Sequence, residues 1–140
     1  VITAFRADPS TPEEELSLAM TEAQNSEVIV VGLFVRIFAR RGSPSIMNEQ
    51  LIQLLQDLSK GDRPFFVVSF GRPYLISDFP EVDGYMIATE PTWEFYGYDK
   101  FRPGQIAAAK ALFGEIDITG RLAVSIPGLY SFGHGITYTP

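Results

Sequence analysis

Apolar and polar positions along this chain fall into alternating blocks. Runs of β-branched and aromatic residues are separated by segments with helical spacing. Val1 to Phe5 is a short apolar opening that reads as a strand. Thr11-Pro12-Glu13-Glu14 reads as a helix start, with Thr11 as cap, Pro12 at the first helical position and Glu14 completing a capping box. Leu16, Ala19, Met20 and Ala23 follow at i, i+3, i+4 and i+7 and form one apolar stripe. Glu13, Glu14 and Glu15 suit the positive end of the helix dipole, and equally a plain solvated first turn. Val28-Ile29-Val30-Val31-Gly32-Leu33 is apolar without alternation, the pattern of a strand covered on both faces. A polar segment from Arg36 to Ser45 leads into a second helix. Its face is Leu51, Ile52, Leu55 and Leu58, with Leu54 flanking, and Gly61 is expected to end it in a left-handed conformation.

Phe65 to Phe70 reads as the next buried strand, Gly71-Arg72-Pro73-Tyr74 as the turn out of it, and Tyr85 to Thr89 as a further strand. An irregular aromatic stretch spans Pro91 to Pro103. Gly104 to Phe113 is an alanine-rich helix closed by Gly114, Leu122 to Ile126 a final short strand, and Pro127 to Pro140 a turn-rich tail. Strands alternating with helices predict an α/β fold. The expected form is a flavodoxin-like three-layer sandwich, with a mostly parallel sheet of about five strands and helices on both faces. No repeat or linker interrupts the chain, so residues 1–140 read as a single domain. In such sheets ligands bind beyond the carboxyl ends of the strands. That directs attention to Phe34 to Pro44, Gly71 to Tyr74 and Glu90 to Arg102.

Composition narrows the chemistry. The 140 residues are 46% hydrophobic and 20% charged, the balance of a soluble globular domain. No apolar run approaches the roughly 20 residues of a spanning helix, and the start of the chain does not read as a signal peptide. The net charge of −6 argues against nucleic acid as an electrostatic partner. With no cysteine and one histidine, thiol catalysis, iron–sulfur clusters, Cys/His zinc sites and disulfides are excluded. A carboxylate metal site stays open, but no Asp/Glu run has calcium-loop spacing, and no metal ligand is assigned. The glycine-rich dinucleotide and P-loop patterns are absent, as is G-x-S-x-G, and no cofactor is expected.

Three features remain as candidates. Arg36, Arg40 and Arg41 concentrate positive charge in one loop of an acidic chain. They suit gripping a carboxylate or phosphate, pairing with a neighbouring domain, or simple solvation. Trp93, Phe95, Tyr96, Tyr98 and Phe101 crowd a loop with Glu90, Glu94 and Asp99. Aromatic faces beside carboxylates can hold a sugar, although buried packing or an inter-domain contact explains the same residues. His134, between Gly133 and Gly135, reads either as a general base or ligand or as a tail residue hydrogen-bonded along a tight backbone path.

The last third carries a resemblance. It reads Gly104-Gln105-Ile106-Ala107-Ala108-Ala109-Lys110-Ala111-Leu112-Phe113-Gly114-Glu115, then Thr119-Gly120-Arg121-Leu122-Ala123-Val124-Ser125-Ile126-Pro127, then Tyr130 and Phe132-Gly133-His134-Gly135-Ile136. This resembles the C-terminal α/β-sandwich domain of family 3 glycoside hydrolases, with Ala123 where the family usually has proline. Val30 to Arg36, the Glu49-Gln50-Leu51-Ile52 helix and Val67 to Tyr74 are similar to the β-N-acetylglucosaminidase-like branch, in the same order.

The resemblance implies an accessory domain of a glycosidase that removes terminal β-N-acetylglucosamine. It also implies that the chain begins inside that domain. The aspartate nucleophile of such an enzyme sits on a TIM-type barrel, which these residues do not include. The loop Phe34 to Pro44 holds no Glu or Asp, whereas the β-glucosidase branch draws its acid/base from that loop. No catalytic residue is therefore carried over. The expected partners are the barrel and a saccharide, with Arg36, Arg40, Arg41, Glu90, Trp93 and Glu94 as contact candidates. The implied location is the bacterial periplasm or exterior. The other readings are a stand-alone saccharide-binding module, or an anion-binding module using the three arginines.

Overall fold

The structure, a computed structural model, describes residues 2–35, 47–89 and 103–140. The fold is α/β. Three parallel strands, β1 (Ile29–Leu33), β2 (Phe65–Ser69) and β3 (Gly84–Ile87), form one sheet in the order β1-β2-β3. The register pairs Ile29 with Phe65 and Leu33 with Ser69, and Val67 with Tyr85 and Ser69 with Ile87. The described helices are α1 (Glu13–Gln24), α2 (Glu49–Ser59) and α3 (Pro103–Leu112). A 3-10 helix (Pro73–Asp78) connects β2 to β3.

One hydrophobic cluster organises this arrangement. Leu33, Phe65 and Val67 from the sheet pack with Met47, with Leu55 and Leu58 of α2, and with Leu75 and Phe79 at the 3-10 connection. Met20 and Ala23 of α1 lie against the same cluster, as do Ile29, Val31 and Tyr85. Helices α1 and α2 therefore share one face of the sheet. The alternation within β1 follows from this: Ile29, Val31 and Leu33 point toward the cluster, whereas Val30 is 51% exposed. The apolar run Val28 to Leu33 predicted cover on both faces. Among the described residues its second face stays open at Val28 and Val30.

Local signals account for most element ends. Asn48 caps α2, its side-chain oxygen accepting from the Leu51 N–H at 3.0 Å. Helix α3 stops at Gly114, whose φ of 69° lets the Glu115 N–H reach the Lys110 carbonyl at 2.8 Å and the Gly114 N–H reach Ala111 at 3.1 Å. Two expected caps are corrected. The Thr11 hydroxyl accepts from the Asp8 N–H at 2.8 Å and closes a turn, so α1 starts at Glu13 without a side-chain cap. Gly61 keeps a negative φ, because α2 has already ended at Lys60 in a right-handed conformation.

Two expected strands are also absent from the sheet. Residues 2–5 are exposed and join no ladder, since strand propensity without a neighbouring edge does not make a strand. Leu122 to Ile126 instead belongs to an antiparallel ribbon with the tail. Ile118 exchanges two hydrogen bonds with Tyr138 at 2.8 and 2.9 Å, and Ile126 two with Tyr130 at 2.7 and 3.0 Å. Pro127 and Gly128, the latter at φ 78°, fold the chain back between them.

Two measurements test this packing. Leu55→Ala should lower the free energy of urea unfolding by about 2–5 kcal/mol. Gly114→Ala should cost about 1–2 kcal/mol, the penalty of a left-handed β-carbon-bearing residue; an unchanged midpoint in either variant contradicts the corresponding contact.

Candidate functional site

The carboxyl ends of the three strands come together at Leu33, Ser69 and Ile87. Each ladder runs one step further: the Phe70 N–H donates to Leu33 at 2.9 Å, and the Ala88 N–H to Ser69 at 3.0 Å. Beyond this edge the chain must turn within a few residues into the 3-10 helix that starts at Pro73. Proline suits that first position because it needs no N–H there.

Ser69 makes the turn possible. It is 0% exposed, yet it follows four apolar residues in β2. A buried hydroxyl needs a partner, and here it donates to the Arg72 carbonyl at 2.8 Å. The Tyr85 hydroxyl, from the neighbouring strand, donates to the same carbonyl at 3.3 Å. Two side chains from two strands thus hold one backbone oxygen and fix the path of residues 70–73. Burial raises the Tyr85 phenol above its ordinary value of 10.0, opposed by hydrogen bonding with Ser69 and the Ile76 backbone. Gly71 sits where a β-carbon would stand 3.2 Å from the Val35 carbonyl, which favours the smallest residue at this crossing.

Above this clamp the Phe34 and Phe70 rings stack, with centroids 4.6 Å apart and planes 12° from parallel. Both residues directly follow paired strand residues, Leu33 and Ser69, so the register of the sheet creates the stack. Phe34 is exposed, and Phe70 is half-buried beneath it. Residues 34–35, 70–74 and 88–89 contain no Asp, Glu or His. This part of the edge presents the Phe34 ring and, at Tyr74, a further exposed aromatic side chain.

Arg36, Arg40, Arg41, Glu90, Trp93 and Glu94 all lie outside the described residues. Of the three loops singled out from the sequence, Gly71 to Tyr74 is the one described throughout, and it does lie at the carboxyl edge. His134 belongs to the C-terminal ribbon. Its carbonyl accepts from the Leu122 N–H at 2.8 Å, and its ring stacks on Tyr130 with centroids 4.6 Å apart. Among the described residues no cluster of three or more His, Asp or Glu could hold a metal ion. Among the described residues no helix is long and apolar enough to cross a membrane.

A shallow hollow of about 280 Å³ opens at the opposite, amino end of β1, lined by Met20, Gln24, Ile29, Asp57, Leu58 and Arg63 among others. Two of its charged side chains are engaged structurally. Arg63 donates to the Gln24 carbonyl at the end of α1 at 3.1 Å, and Gln53 donates to Asp57 at 2.8 Å. The carboxyl edge remains the better candidate. Ser69 and Tyr85 are the residues there that sequence reasoning passed over. A lone serine in the run Phe65-Phe66-Val67-Val68-Ser69-Phe70 was the available signal, since a polar group in a buried strand requires a specific partner.

The clamp generates two predictions. Ser69→Ala and Tyr85→Phe should each cost about 1 kcal/mol of unfolding free energy. The double variant should cost more than their sum, because only then does the Arg72 carbonyl lose both donors; strict additivity would contradict a shared acceptor. The pH dependence has a definite sign. An unfolded Tyr85 loses its proton near pH 10, before the folded one does, so the unfolded state binds fewer protons above that pH. The Tyr85 contribution should be intact below about pH 10 and decline above it. Unfolding titrations should show a steeper alkaline loss in the parent chain than in Tyr85→Phe, and equal slopes would exclude it.

No protein-family model matches the chain, and no curated protein or solved structure matches it either.

Proposed function

We propose that this chain is the C-terminal accessory domain of a family 3 glycoside hydrolase of the β-N-acetylglucosaminidase-like branch. The observation that carries the proposal is the ordered series of segments along the sequence: Val30 to Arg36, Glu49 to Ile52, Val67 to Tyr74, Gly104 to Glu115, Thr119 to Pro127 and Phe132 to Ile136. The fuller sandwich, with about five strands and helices on both faces, belongs to the same proposal.

Two structural features support the reading. The turn at Gly71 to Tyr74 lies at the carboxyl edge of the parallel sheet, the edge at which α/β folds generally bind ligands. Large apolar side chains near the C-terminus also face solvent, with Phe113 77%, Phe132 72% and Ile136 76% exposed. Apolar surface of this kind suits a domain that covers it against a neighbour.

On this reading the reaction takes place on a barrel domain that residues 1–140 do not include. A barrel aspartate attacks the anomeric carbon, the glycosidic bond breaks, and the departing oxygen takes a proton from a barrel histidine held by an aspartate. Water then hydrolyses the glycosyl-enzyme intermediate and releases the sugar. The present chain packs beside the barrel and borders the sugar subsites with its carboxyl-edge loops. Arg36, Arg40, Arg41, Glu90, Trp93 and Glu94 are the proposed contacts with saccharide or barrel, and no residue of the chain is given a catalytic role.

The test compares two proteins: the one encoded by the full reading frame that contains these residues, and residues 1–140 alone. The expected result is a barrel-bearing protein that hydrolyses an aryl N-acetyl-β-glucosaminide, and no turnover by the 140-residue chain. Robust turnover by residues 1–140, or a reading frame with no barrel, would overturn the proposal.

A further inference from the structure

We draw no further inference here: the strongest candidate, the apolar strip that Val28, Val30 and Phe34 expose along the outer strand β1, carries none because nothing in the structure shows what covers it.

Discussion

The fold depends on the burial of one face of β2. Phe65 and Val67 are almost wholly excluded from water, and Leu55, Leu58, Leu75 and Phe79 close over them from α2 and the 3-10 connection. Each such side chain contributes roughly 1.5–3 kcal/mol by leaving water, so this cluster is the main favourable term offsetting the entropy of ordering the chain. Because β2 is also the middle strand, both ladders hang from the same five residues. Ser69, the last of them, carries this order to the sheet's edge through its bond to Arg72. Packing, hydrogen bonding and the shape of the candidate site thus meet in one strand.

The core has a direction. Helices α1 and α2 join the same cluster, so the sheet is thickly covered on the side of Ile29, Val31 and Val67. On the other side Val28, Val30 and Phe34 keep much of their surface in water, and the C-terminal ribbon exposes further large apolar residues. The ribbon is held by its own cross-strand bonds and by the Arg121 guanidinium, which donates to the Thr137 hydroxyl at 2.6 Å. A domain built this way has a firm interior and a surface suited to being covered. The proposed accessory role beside a barrel would place such a surface against a neighbour.

Much of this architecture was legible in the residues. The i, i+3, i+4 spacing of Leu16, Ala19, Met20 and Ala23 marks α1 and its inward stripe, of which Leu16 is buried, and the same logic marks Leu55 and Leu58 in α2. The β-branched and aromatic runs located all three strands of the sheet to within a residue or two at each end. Gly114 announced the end of α3, because a left-handed residue was needed there. Other features depend on tertiary choices that local sequence does not encode. Thr11 had two possible acceptor roles, and the Asp8 turn took it. Leu122 to Ile126 had strand-like composition, but Pro127 and Gly128 turned it against the tail rather than the sheet. Whether Val30 is covered depends on where helices lie, which the run of apolar residues cannot say. At the candidate site the turn Gly71 to Tyr74 was foreseen, whereas the convergence of Ser69 and Tyr85 on one carbonyl required the register between β2 and β3.

Native-state amide hydrogen exchange tests the central place of β2 most directly. The amides of Val67 and Val68, bonded within the middle strand and shielded by the core, should exchange only through global unfolding. The ribbon amides of Ile118, Leu122 and Tyr138 should open locally at lower free energy. Ribbon amides as slow as those of β2, or β2 amides that exchange well below the global unfolding free energy, would contradict the central place of β2.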